Sequence, residues 1–383
     1  MNRRNFLCAS CGVSALTLFG SAGAQSEWKP PARFSRPDIG SDEGGLWALM
    51  DREETRLRRS PFVIRDARLN TYIQGVACKL AGAHCPDIRV QIVHTPLFNA
   101  SMAPNGLMQV WSGLLLRVES EAQLAAVLGH EIGHYMQRHA VEQLRDLRAR
   151  SAFGQFLGLF GLVGAIGRLA TLAGAFSFSQ EQERDADRIS IELMRGAGYD
   201  VTEAAKVWEN LLLEVKARPG GDTARNPMFA THPPPAERRE MLAKMAAEAA
   251  AGISGEAEWK AVFKPFVQEF LKDEIQLGQH DESLALFTRM IARDAAQPML
   301  LFARAEIYRT RGKDNDLEMA ITDYAAAATL GNEPPEVHRG LGLIYRTRKQ
   351  FAESRDSFTR YLERMPEAPD AAMIKSYLEE MKS

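Results

Sequence analysis

His130-Glu131-Ile132-Gly133-His134 sets two imidazoles four residues apart, with a carboxylate beside the first. On an α-helix this spacing places both rings on one face, where they can grip one metal ion together. It leaves Glu131 placed to take a proton from an attacking water. Two imidazoles leave a zinc ion two positions short of tetrahedral, and a catalytic site fills one with a protein ligand and one with water. His139 is a poor third ligand: it lies nine residues after His130, half a turn round the same predicted helix, and is expected to face away. The metzincin spacing is absent too, since Gln137 and Ala140 stand where it needs glycine and histidine. Downstream, Glu181-Gln182-Glu183-Arg184-Asp185-Ala186-Asp187 offers several carboxylates. Taken bare, such a string is a solvated helix face as readily as a ligand source.

The elements that must position these groups are legible in the pattern. Ser120 and Gln123 read as a capping box that opens the motif helix, which the pattern carries to about Arg148. Helical patterns precede it over residues 46–59 and 69–80. Strict alternation marks two strands, Ile88-Arg89-Val90-Gln91-Ile92-Val93 and Gly106-Leu107-Met108-Gln109-Val110-Trp111, with turn chemistry at Pro104-Asn105-Gly106. Further helices are predicted over 180–195, 202–216 and 237–250, the last after the break at Pro233-Pro234-Pro235. The fold class is therefore α+β and mainly helical, with a small sheet beside the motif helix. Residues 251–257 read as an interdomain linker.

Beyond the linker, over residues 258–383, an internal period emerges. Phe287, Tyr324 and Phe358 occupy matching places, preceded four residues earlier by Ser283, Ala320 and Ser354. Ala305 and Tyr308 correspond to Gly342 and Tyr345. The spacing is 37 residues and then 34, so this region resembles tetratricopeptide repeats, two-helix units stacked into a solenoid. A capping helix is expected near residues 370–381.

A chain of 383 residues with 45% hydrophobic and 25% charged residues and a net charge of −2 is an ordinary globular composition. No basic excess points to nucleic acid or anionic lipid. Residues 1–24 read as an export signal: Arg3-Arg4-Asn5-Phe6-Leu7 looks twin-arginine-like, an apolar run follows, and Ala22-Gly23-Ala24 offers a cleavage site. A Sec signal is the other reading. Either removes Cys8 and Cys11, so Cys78 and Cys85 remain and are expected to pair in an oxidising periplasm. The ring they close is short and contributes about 2–3 kcal/mol.

E-x-x-A-D following H-E-x-x-H resembles the HtpX and BepA peptidase family, relatives of the CAAX prenyl proteases. The resemblance implies a gluzincin site in residues 25–250, with His130, His134 and Glu183 holding one zinc per chain. It implies Asp187, one turn after Glu183, as support for a ligating histidine. Asn99-Ala100-Ser101-Met102-Ala103-Pro104-Asn105-Gly106 resembles the family's substrate-pairing segment, which puts Asn99 and Ala100 on the substrate strand. Asn105 stands where a second glycine is common. Thr231-His232-Pro233 followed by Arg238 resembles the T-H-P…R motif. That places His232 near zinc, either stabilising the oxyanion or closing the site as a fourth ligand. Arg238 either supports the oxyanion or pairs with a carboxylate.

Residues 152–178 are apolar and glycine-rich. A single membrane span is excluded, because Glu183 lies after it and must reach the side that holds His130. Two crossings need about forty residues. A helical hairpin is expected, lidding the site or touching a membrane surface. Together these readings predict a periplasmic zinc endopeptidase acting on misfolded or stalled envelope and outer-membrane proteins, with a repeat module that recruits substrates or an assembly partner. The competing reading is a chaperone or scaffold for outer-membrane assembly, with minor or conditional proteolysis.

Overall fold

Alternation of apolar and polar side chains sets up the sheet on which the site rests. The computed structural model describes residues 28–149, 178–221, 223, 226–232, 238–247 and 251–381. The expected leader, the proline run and all but Phe178 of the glycine-rich segment lie outside the described residues.

Strand β1 (Arg89–Val93) runs parallel to β3 (Leu107–Trp111), and β2 (Ala100–Met102) pairs antiparallel with β3, giving the order β1-β3-β2. Val90 and Ile92 are buried while Arg89 and Gln91 are half-buried, as alternation requires. β3 is central and buried on both faces, so Gln109 lies in the interior despite its polarity. The turn between β2 and β3 needs glycine at 106: its φ is +87°, and a Cβ there would meet Asp87 O at 2.1 Å. The Cys78–Cys85 disulfide joins the helix Ala67–Ala81 to the short turn that feeds β1.

The motif helix, Glu121–Met136, is buried almost throughout. Ser120 caps it by accepting from Gln123 N at 3.1 Å. The reciprocal arm is displaced: Gln123 Oε1 accepts from Glu119 N, not from Ser120. The expected run to residue 148 is interrupted. Arg138 takes a left-handed conformation with φ 60°, and a second helix starts at His139 and runs to Ala149. Arg138 is held there by an ion pair to Glu43 and by the Phe34 ring, 5.2 Å from its guanidinium carbon. Neither contact has a signature in helical periodicity.

The carboxylate helix, Gln180–Gly196, opens with a full capping box, Ser179 with Gln182. It lies along the motif helix, where Gly129 and Gly133 face Ser190 and Ala186. The helix Thr202–Ala217 packs against the motif helix.

From His280 to Glu380 consecutive helices pack in neighbouring pairs, consistent with a helical-repeat solenoid. The periodic positions Phe287, Tyr324 and Phe358 are all fully buried. Small residues answer them, since a Cβ on Gly340 would strike Tyr324 and one on Gly342 would strike Phe358. Residues 251–257 are tied down: Asp200 N donates to Ile253 O, Ile253 N to Gly198 O, and Ala122 N to Ser254 O. Among the described residues, no helix is long and apolar enough to cross a membrane.

Candidate metal centre

Two helices and one short turn bring the functional side chains together. The motif helix presents His130 and His134, the carboxylate helix presents Glu183, and the turn after Pro227–Thr231 presents His232. One ligand atom from each of the four lies within 4.8 Å of every other, and all four residues are buried. His130 Nε2 is 3.2 Å from His134 Nε2 and 3.2 Å from His232 Nδ1. His134 Nε2 is 3.4 Å from Glu183 Oε1, which lies 2.9 Å from His232 Nδ1.

These spacings fit zinc. Bonds of about 2.0–2.1 Å in a tetrahedron separate neighbouring ligand atoms by roughly 3.3 Å. Glu183 Oε2 is buried without a hydrogen-bond partner, as a carboxylate awaiting a cation would be.

The electrostatics carry the same sign. Burial pushes His130 down, but the Glu183 charge and hydrogen bonds to Asp187 and Glu183 outweigh it, leaving its pKa raised to about 9. Burial opposes ionisation of Glu183, yet the facing His232 and His130 hold its carboxyl far below the usual range. His134 is driven well down by burial. The site is thus arranged to hold one carboxylate charge against positive charge.

Glu131 lies beside the cluster, 3.6 Å from His232 Nε2. Burial raises its pKa, the direction a general base needs to hold a proton in passing. A cavity of about 30 Å³ opens there, lined by Glu131, His232, Ser101, Met102, Gln109 and Phe178. It has room for water and not for a peptide. β2 packs against the motif helix, and among the described residues only one of its edges is paired. Ala100 is in β2 and Asn99 immediately precedes it; Asn99 O accepts from Trp111 N at 3.1 Å, while both polar atoms of its buried side chain lack partners.

Asp187 stands behind His130, with Oδ1 2.9 Å from Nδ1. Of the two readings for Arg238, the structure brings its guanidinium to a carboxylate: Nη2 donates to Asp187 Oδ1 at 2.6 Å. The guanidinium stacks on Trp208 at 3.8 Å, on the Nδ1 side of His130, with Nη1 3.7 Å from Glu183 Oε2. The expectation that His139 faces away fails. The break at Arg138 turns the chain back, and His139 Nδ1 lies 2.8 Å from His134 Nδ1. Trp208 and Phe178 also touch the histidines and carried no signal in the sequence, being aromatic residues without a motif.

A small sheet, a buried H-E-x-x-H helix and a glutamate from a second helix define a metallopeptidase domain of the gluzincin type. Residues 64–246 match the family model of peptidase family M48. Mitochondrial metalloendopeptidase OMA1 of Arabidopsis thaliana is 33% identical over 155 residues, 40% of this chain and 31% of that protein. The putative beta-barrel assembly-enhancing protease of Vibrio cholerae is 26% identical over 353 residues, 86% of this chain and 64% of the relative. The beta-barrel assembly-enhancing protease of Yersinia pestis is 30% identical over 251 residues, 59% and 50% of the two chains. The chain therefore spans between about a third and two thirds of the length of these relatives.

Proposed function

We propose that the chain is a zinc endopeptidase of the periplasm that hydrolyses misfolded or stalled envelope proteins, with its helical repeats recruiting substrate or an assembly partner. The observation that carries the hydrolytic reading is the cluster of His130, His134, Glu183 and His232 with Glu131 at its edge. The leader-like start of the sequence and the disulfide support the compartment. The names of the Vibrio and Yersinia relatives support outer-membrane assembly as the setting.

His130, His134 and Glu183 would hold the zinc. When bound, it supplies Lewis acidity and lowers the pKa of water towards about 7. Glu131 takes the proton of the attacking water and hands it to the leaving amine nitrogen. The substrate backbone adds to the open edge of β2 beside Ala100. His232 would donate to the developing oxyanion once it has moved out of the ligand cluster; within the cluster it would be a fourth ligand that closes the site.

The closed geometry favours conditional activity. A site with every ligand buried and a cavity of about 30 Å³ cannot admit a peptide without opening. This links the peptidase reading to the scaffold reading, in which the repeats bind an assembly partner and proteolysis is occasional. The test is the Glu131→Gln chain: it should retain zinc and lose hydrolysis of casein. Casein cleavage at the wild-type rate defeats the role of Glu131. Rescue of envelope assembly by the same variant, in cells lacking the enzyme, would favour the scaffold reading.

A further inference from the structure

A ligating imidazole is aimed by whatever bonds its second ring nitrogen, which also fixes its tautomer. Asp187 serves His130 in this way. For His134, among the described residues, the group at that position is another imidazole, His139, Nδ1 to Nδ1 at 2.8 Å. We propose that His139 is the positioning residue of His134: a neutral imidazole that accepts the His134 Nδ1–H and keeps Nε2 free for zinc. The assignment rests on the zinc reading above.

The proton count follows from the geometry. A hydrogen bond between two ring nitrogens takes one donor and one acceptor. His134 Nε2 points into the ligand cluster, 3.2 Å from His130 Nε2 and 3.4 Å from Glu183 Oε1. Its proton therefore sits on Nδ1, and His139 presents a bare Nδ1 with its own proton on Nε2. His139 is only 4% exposed, so water does not compete for the contact.

The backbone is bent to make this bond. A continuous helix would carry His139 to the far side, and the left-handed Arg138 returns it. Phe178 stacks on the His134 ring at 3.9 Å with planes 24° apart. Packing fixes the plane of His134, and His139 fixes its rotation within that plane.

The experiment measures zinc affinity of the full chain by competition with a chelator. His139→Phe keeps a flat ring beside Phe178 but offers no acceptor, and His139→Asn places an amide oxygen near where Nδ1 stood. Loss of such a support costs about ten- to a hundredfold in metal affinity, so the phenylalanine variant should fall by that much and the asparagine variant recover most of it. The visible spectrum of the cobalt-substituted protein should change in the first variant and not in the second. Should His139→Phe fail to fold without metal, His139→Leu against His139→Asn decides the same question. Wild-type affinity in the phenylalanine or leucine variant overturns the proposal. Equal loss in all three does so as well, because His139 would then be a packing residue. A wild-type chain that binds no zinc defeats the underlying reading and this one with it.

Discussion

Gly133 and Ala186 meet where the two ligand-bearing helices cross: a Cβ on Gly133 would lie 3.0 Å from Ala186 O and 3.1 Å from Ala186 Cα. One turn earlier Gly129 faces Ser190, whose hydroxyl donates to Ala126 O at 2.8 Å. This close approach lets Glu183 and Asp187 reach the two histidines at once. The second variable position of H-E-x-x-H and the alanine of E-x-x-A-D thus let the two backbones approach. Gly133→Ala gains about 1 kcal/mol of helix propensity but forces overpacking of about 1–3 kcal/mol. The expected balance is a modest loss of stability in urea unfolding with a larger loss of zinc affinity. A variant more stable than wild type, with zinc affinity unchanged, would show that the crossing tolerates a methyl group.

Ligand and support should separate experimentally. Glu183→Gln removes the one carboxylate inside the cluster and should lose zinc more than a hundredfold. Asp187→Asn keeps an acceptor for His130 but strips the charge that Arg238 faces, so the expected loss is about ten- to a hundredfold. Chelator competition on the purified variants checks both. Stoichiometric zinc at wild-type affinity in Glu183→Gln would remove it from the ligand set.

Much of this was legible because the chemistry is written in fixed spacings. His130 and His134 share a face by helical periodicity, and the strands, the Gly106 turn and the buried Phe287, Tyr324 and Phe358 follow from pattern. Cys78 and Cys85 follow from their proximity in sequence. Illegible residues depend on one dihedral or on a contact between distant elements. His139 is misplaced by any continuous helix, because the break at Arg138 contains neither glycine nor proline. Trp208 and Arg238 meet 3.8 Å apart from separate helices, and nothing local to either announces the stack.

The C-terminal helical region carries an acid-sensitive clasp. Arg311 binds Asp316 through Nε and Nη2 at 2.9 and 2.8 Å and Asp281 through Nη1 at 2.6 Å. The Arg311 hydrogen bonds hold the Asp316 carboxyl low; for Asp281 burial opposes ionisation, and Arg311 and Lys313 together outweigh it and leave the carboxyl low as well. Depressed folded pKa values stabilise the fold above the unfolded value of about 4, and that contribution is lost as pH falls through the lower folded values. Arg311→Met should therefore cost about 1 kcal/mol at pH 7, and its deficit should vanish in strong acid. Thermal unfolding of both proteins from neutral pH to about pH 2 checks this. A deficit independent of pH would assign the loss to packing.

Arg117 ties the metallopeptidase segment to the helices that follow it. It is buried, and its Nε donates to Glu214 Oε2 at 2.6 Å and its Nη2 to Glu274 Oε1 at 2.9 Å. Ser283 adds a hydrogen bond to Glu274 at 2.8 Å, and Arg289 bridges Glu214 and Glu119 at 2.7 and 3.0 Å. Glu119 immediately precedes the cap of the motif helix, so the network runs from the C-terminal helices to the motif helix. Arg117→Met leaves the buried Glu274 carboxylate with Ser283 alone and Glu214 with Arg289 alone, and breaking a buried pair costs about 3–5 kcal/mol. Urea unfolding should show that loss. Combining Arg117→Met with Glu214→Gln and Glu274→Gln should recover most of it, because the burial cost is carried by the stranded charges. If the triple variant is no better than the single one, Arg117 acts by filling space, and the charge network does not hold these helices together.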